Sequence, residues 1–128
     1  MKILLDTHTF LWWDIDPNKL SARARELCAN QANIIILSVA SVWEMTIKLQ
    51  VGKLQLRRPL AAIIAEQQKV NDLHILSINL AHIHAIEMLP LIHKDPFDRL
   101  LIAQAQTENI AIISRDSVFQ KYPVVVEW

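Results

Sequence analysis

The sequence predicts a three-layer α/β/α domain built on a central, mostly parallel sheet. Two observations carry this. Short apolar runs such as Ile34-Ile35-Ile36-Leu37 and Ile110-Ala111-Ile112-Ile113 are continuous rather than alternating, as strands buried on both faces require. Between them lie segments with helical periodicity, and strands alternating with helices imply crossover connections and helices on both faces of the sheet.

Taken in order, residues 2–6 read as the first strand and 9–13 as a short helix carrying Trp12 and Trp13. Residues 20–30 read as a helix with Leu20, Ala24, Leu27 and Cys28 on one stripe. The run 34–37 is the second strand, followed by a helix over about 39–50 that ends near Gly52. Pro59 opens a helix over 59–70, as proline suits a first helical position. Residues 74–78 form a weaker strand, 80–88 a helix, and 96–108 a helix opened by Pro96 and ended by Asn109. The strands 110–114 and 124–126 close the chain. With no repeat and no linker, residues 1–128 form a single domain.

Composition excludes several classes. The 13 basic and 13 acidic residues cancel, so binding to nucleic acid by bulk charge is not expected; a contact must come from a local patch or through a metal. One glycine, Gly52, excludes glycine-rich phosphate loops. The lone Cys28 excludes an internal disulfide and a cysteine metal cluster. No apolar run is long enough for a membrane span and no signal peptide is visible, so a cytoplasmic protein is expected. An apolar fraction of 52% at this size suggests that a partner covers some of the surface.

Four acids fall at element boundaries: Asp6 ends the first strand, Glu44 lies early in the helix after the second, Asp98 in the first turn of the Pro96 helix, and Asp116 just after strand 110–114. In a parallel sheet, strand ends and the starts of the following helices share one edge, so the four can converge. Each also has a plain structural role open to it. Ser41-x-x-Glu44 matches a capping box, Asp98 suits a helix dipole, and Asp116 can start a turn. Jointly, four anions in one cleft repel one another unless a cation offsets them. All-oxygen donors favour Mg²⁺, with Mn²⁺ as substitute, over zinc. Such an ion activates water and stabilises a phosphoryl transition state, which points to phosphodiester hydrolysis. The histidines do not suggest a metal site: His82 and His84 lie two apart, no His-x-x-x-His pair exists, and His8 is near enough to Asp6 only to line the cleft.

These residues resemble the PIN domain. The blocks are Leu4-Leu5-Asp6-Thr7-His8, Ser38-Val39-Ala40-Ser41-Val42-Trp43-Glu44, Asp95-Pro96-Phe97-Asp98-Arg99-Leu100-Leu101-Ile102-Ala103-Gln104-Ala105 and Ile113-Ser114-Arg115-Asp116. Within PIN domains the chain most resembles VapC-type toxins of type II toxin–antitoxin pairs. The resemblance implies a Mg²⁺-dependent endoribonuclease, often a homodimer, held inactive by a cognate antitoxin. It also implies that Asp6, Glu44, Asp98 and Asp116 are the catalytic acids and metal ligands, with Ser114 supporting the cleft. Asp95 reads as the N-cap of the Asp98 helix. Arg99 and Arg115, next to ligand candidates, are expected to contact RNA phosphates, as is the basic stretch Lys48, Lys53, Arg57 and Arg58, in which no acid intervenes. Trp12, Trp13 and Trp43 could stack bases, though at least one is expected in the core and the Trp12–Trp13 pair better suits an antitoxin groove. The alternative is a PIN-like module without catalysis that acts through a protein partner or RNA. An aspartyl phosphotransferase is disfavoured, because haloacid dehalogenase-like enzymes need an Asp where His8 stands.

Overall fold

A computed structural model describes residues 1–128. Five parallel strands form one sheet: β1 (Lys2–Leu5), β2 (Ile34–Ser38), β3 (His74–Leu76), β4 (Ala111–Ile113) and β5 (Val126–Glu127), in the order β3-β2-β1-β4-β5. Six helices connect them: α1 (Thr7–Ile15), α2 (Ala22–Ala29), α3 (Val39–Gln50), α4 (Leu60–Asn71), α5 (Leu80–Glu87) and α6 (Pro96–Glu108). Single 3-10 turns cover Pro17–Lys19 and Ser117–Lys121.

The central strand is β1, and Ile3, Leu4 and Leu5 are all fully buried. Successive side chains of a strand point to opposite faces. Ile3 and Leu5 accordingly join Ile35, Leu37 and Ile113 in one core, closed by Phe10 of α1, Leu27 of α2 and Ile63 of α4. Leu4 joins Ile36 and Ile112 in a second core under Leu101 and Ile102 of α6, with Phe119 and Tyr122. Helix α3 feeds both, Met45 to the first and Ala40 to the second. The expected three-layer α/β/α arrangement is what forms.

The differences from the sequence reading concern joins. The first strand ends at Leu5 rather than at residue 6, and α1 starts at once, because Asp6 is its N-cap and accepts the Thr9 N–H at 2.8 Å. The β2–α3 join is equally tight. Ser38 ends the strand and caps the helix, its Oγ accepting the Ala40 N–H at 3.0 Å. Ser41 is therefore inside the helix, not at its cap, and the Ser41–Glu44 capping box does not form. Pro59 is the N-cap of α4 rather than its first residue, since its carbonyl accepts the Ala62 and Ile63 N–H groups. The last strand is displaced to Val126–Glu127 because the Val124 N–H turns back to the Tyr122 carbonyl. At α6 the expected signals operate together: Asp95 caps, Pro96 opens, and Asn109 closes in the left-handed region at φ 54°.

Candidate metal centre

The two joins without a loop place Asp6 and α3 directly at the carboxyl edge of the sheet. Asp6 is 5% exposed, and both carboxylate oxygens are fixed: Oδ1 by the Thr9 N–H, Oδ2 by the Ser114 hydroxyl at 2.5 Å. Burial pushes its carboxyl above the usual aspartate range, against the opposing pull of the Ser114 and Thr9 hydrogen bonds. Ser114, just past β4, also accepts the Asp116 N–H at 3.0 Å. It ties the Asp6 carboxylate to the loop carrying Asp116. At 2% exposure it touches the acids rather than solvent, which suits a residue supporting the cleft and not one contacting substrate directly.

Glu44 reaches the same region from α3. Its Oε1 accepts the Thr7 hydroxyl at 2.6 Å and its Oε2 pairs with Lys48 Nζ at 3.2 Å. Lys48, one turn on, is thus engaged by a site acid instead of belonging to a free basic track. Asp98 comes from the first turn of α6, held by the Asp95 cap, which accepts the Phe97 and Asp98 N–H groups. Its Oδ2 lies 2.7 Å from His93 Nε2. Burial raises the Asp98 carboxyl to about 6; the His93 hydrogen bond opposes the shift, and the charges of Asp95 and Glu44 add to it. Asp116 is exposed and its Oδ1 accepts the Val118 N–H at 3.0 Å. Hydrogen bonds and charge therefore link the four sequence-predicted acids in two pairs: Asp6 through Ser114 to the backbone of Asp116, and Glu44 to Asp98 by charge.

The tightest group of ligand atoms is His93, Asp98 and Asp116, all within 4.8 Å of one another. Sequence reasoning missed His93. It is not paired with another histidine, and its only signal was its place on a proline-bounded loop just before the Asp95-Pro96-Phe97-Asp98 block. Beside the acids lies a cleft of about 400 Å³ lined by Asp6, His8, Trp12, Arg115, Asp116 and Ser117. His8 borders it and also packs, its ring tilted against Trp12 with centroids 5.9 Å apart. Arg115 is exposed at this cleft. Trp43, also exposed, meets Phe97 edge to face at 5.1 Å, and the two rings flank Glu44 and Asp98 in the chain.

Arg99 does not face the cleft. Its guanidinium donates to the carbonyls of Pro90 (2.9 Å), His93 (3.4 Å) and Ile86 (3.3 Å) and to the Tyr122 hydroxyl, so it is engaged in holding the 86–93 segment. The basic stretch is also divided. Lys48 goes to Glu44, while Arg58 pairs with Glu66 and, with Arg57, lines a separate cavity that includes Asp14 and Ile15. His82 is wholly buried, bonded to the Asn79 N–H and to Glu108 Oε1 at 2.8 Å, a packing role remote from the acids.

The donor set fits a divalent cation. Only Glu44 has a permanently charged partner; Asp6 and Asp116 have no ion pair, and Asp98 has only an imidazole. Two desolvated carboxylates with raised affinity for a positive charge, beside a third that is open to solvent, form a site that a hard cation would stabilise.

The PIN domain family model matches residues 3–125 of the chain. The chain belongs to the PIN domain family. No curated protein matches it in sequence. Among solved structures this PIN domain is similar to VapBC2 from Rickettsia felis bound to a DNA fragment from its promoter, at 17% identity and TM-score 0.72, covering 99% of this chain and 98% of that one. It is also similar to DNA-bound VapBC from Salmonella typhimurium, at 15% identity and TM-score 0.68 over 99% and 97% of the two chains. FitAcB from Neisseria gonorrhoeae matches at 19% identity and TM-score 0.63 over 97% and 95%. At these identities the likeness is one of fold. No helix of the PIN domain is long and apolar enough to cross a membrane.

Proposed function

We propose that this PIN domain is a metal-dependent endoribonuclease acting as the toxin of a type II toxin–antitoxin pair. The observation that supports the reading is that Asp6, Glu44, Asp98 and Asp116 come from four separate segments near the carboxyl ends of the strands, with Ser114 bonding both Asp6 and the Asp116 N–H and with Asp98 within reach of an Asp116 oxygen and of the Glu44 charge. Mg²⁺, with Mn²⁺ as substitute, is the ion its carboxylates suit. The toxin assignment draws on the VapBC and FitAcB neighbours, which span nearly their whole length with this chain.

Asp6, Asp98 and Asp116 would hold the ion, with Glu44 directly or through water. Bound there, it supplies Lewis-acid stabilisation of phosphorane charge and acidifies a coordinated water. The chain's own residues do the rest. Ser114 and Thr9 fix the Asp6 oxygens, Thr7 and Lys48 orient Glu44, and Asp95 fixes the start of α6. Arg115, exposed on the cleft, suits a phosphate of the RNA. Trp12, between His8 and Trp128, and exposed Trp43 offer faces to bases or to the antitoxin. An antitoxin silences the enzyme by occupying the cleft, and the exposed apolar residues of this neutral chain suit a protein partner or a second copy.

The test is cleavage of structured RNA by the purified chain with Mg²⁺ or Mn²⁺. Asp6→Asn and Asp98→Asn should each reduce it on the order of 100-fold or more, the loss of several kcal/mol of transition-state stabilisation. Cleavage that survives both changes, or persists in EDTA, rules the reading out. Co-expression with the neighbouring small reading frame should relieve growth arrest if that frame encodes the antitoxin.

A further inference from the structure

The four acids leave out the imidazole that stands among them. His93 Nε2 is 2.7 Å from Asp98 Oδ2, and both lie within 4.8 Å of an Asp116 oxygen. An octahedral ion with bonds of ~2.1 Å separates its ligands by ~3.0 Å when adjacent and ~4.2 Å when opposite. The three atoms therefore span what one ion can bridge after small side-chain adjustment. The ring is also delivered there by design of the surrounding loop. The His93 N–H donates to Tyr122 Oη at 2.8 Å, and Arg99 Nη1 donates to the His93 carbonyl at 3.4 Å. Arg99 and Tyr122 both also bond the Pro90 carbonyl, at 2.9 and 3.1 Å. The backbone on both sides of His93 is thus anchored to α6 and to the end of the 3-10 turn before β5.

Resting on the metal-dependent reading above, we infer that His93 is a direct nitrogen ligand of the cation site and biases it toward Mn²⁺ over Mg²⁺. The Nε2 that now shares a hydrogen bond with Asp98 would, with its hydrogen displaced, offer its lone pair to the ion. Imidazole suits transition ions, whereas Mg²⁺ prefers oxygen donors and gains little from it. Arg99 and Tyr122 act as positioning residues, through His93.

The experiment is pulsed electron paramagnetic resonance of Mn²⁺ on the intact protein, beside calorimetric titration with Mn²⁺ and with Mg²⁺. The wild type should show modulation from a directly bound imidazole ¹⁴N, which needs no variant and so no assumption about folding. His93→Ala, checked by circular dichroism, should lose that signal and weaken Mn²⁺ binding on the order of 10-fold or more while changing Mg²⁺ binding by less than about 3-fold. Affinity alone does not decide, because removing a group that only orients a ligand also costs about 10–100-fold. His93→Gln, which can still donate to Asp98, should not recover the Mn²⁺ preference. Mn²⁺ binding without ¹⁴N modulation, or equal weakening of both ions that glutamine repairs, overturns the ligand role and leaves the nuclease reading standing. Absence of Mn²⁺ binding in the wild type overturns both.

Discussion

At the scale of single residues the chain is under tension where its acids meet. Asp98, raised to about 6, binds a proton more readily in the folded chain than in the unfolded one. The stability tied to that proton is complete below the ordinary aspartate range near pH 4 and is lost as pH rises through about 6. The metal-free protein should therefore melt higher near pH 5 than near pH 7.5, and Asp98→Asn should remove much of the difference. The substitution should raise the neutral melting temperature by roughly 3–10 °C, on the order of 2 kcal/mol, in thermal scans with EDTA. If the proposed site binds Mn²⁺, saturating Mn²⁺ should reverse the ranking, since a carboxylate at position 98 is a stronger ligand than the amide that replaces it. Asp6, Glu44, Asp98 and Asp116 were readable in the sequence as candidates because all four fall at strand ends or in the first turns of helices. Where their hydrogen bonds go was not. Arg99 sits beside a site acid in the chain, yet a helical step turns it from Asp98 toward the carbonyls of the 86–93 segment. His93 depends on that same clamp, which no local pattern encodes.

At the scale of elements, propensity and capping explain most boundaries, and the misses come from chain economy at the joins. Asp6 follows the last residue of β1 and Ser38 is the last residue of β2, and each caps the next helix directly, so neither join contains a loop. One cap is poorly chosen. Asp72 closes α4 in the left-handed region at φ 52°, with a negative charge at the negative end of the helix. Asp72→Gly should stabilise the fold by about 0.5–1 kcal/mol, visible as a rise in the urea midpoint with unchanged slope. The opposite holds in α6. Leu101 is fully buried against Leu4 and Ile112, and Leu101→Ala should cost about 2–5 kcal/mol, by the same assay.

At the scale of the whole molecule, the alternation of apolar runs and helical segments was enough to read the layers, because strands buried on both faces leave no polar face to confuse the pattern. The strand order β3-β2-β1-β4-β5 is set by long-range pairing and was not read beyond the central place of β1. Cys28 offers a probe of global opening. Its thiol is half-buried and pushed up to about 11 by burial, so alkylation near pH 8 should be slow in the native chain and should accelerate with denaturant along the unfolding curve. The Ser114–Asp6 hydrogen bond joins residues 108 positions apart, and β1 pairs on one side with β2 and on the other with β4. Strand β1 thus keeps one open edge until β4, far later in the sequence at Ala111–Ile113, is available to pair with it. A fragment without β4 would carry Asp6 and Glu44 but neither Ser114 nor Asp116, so the proposed cation site, and any cleavage it supports, would have to wait for β4 to pair.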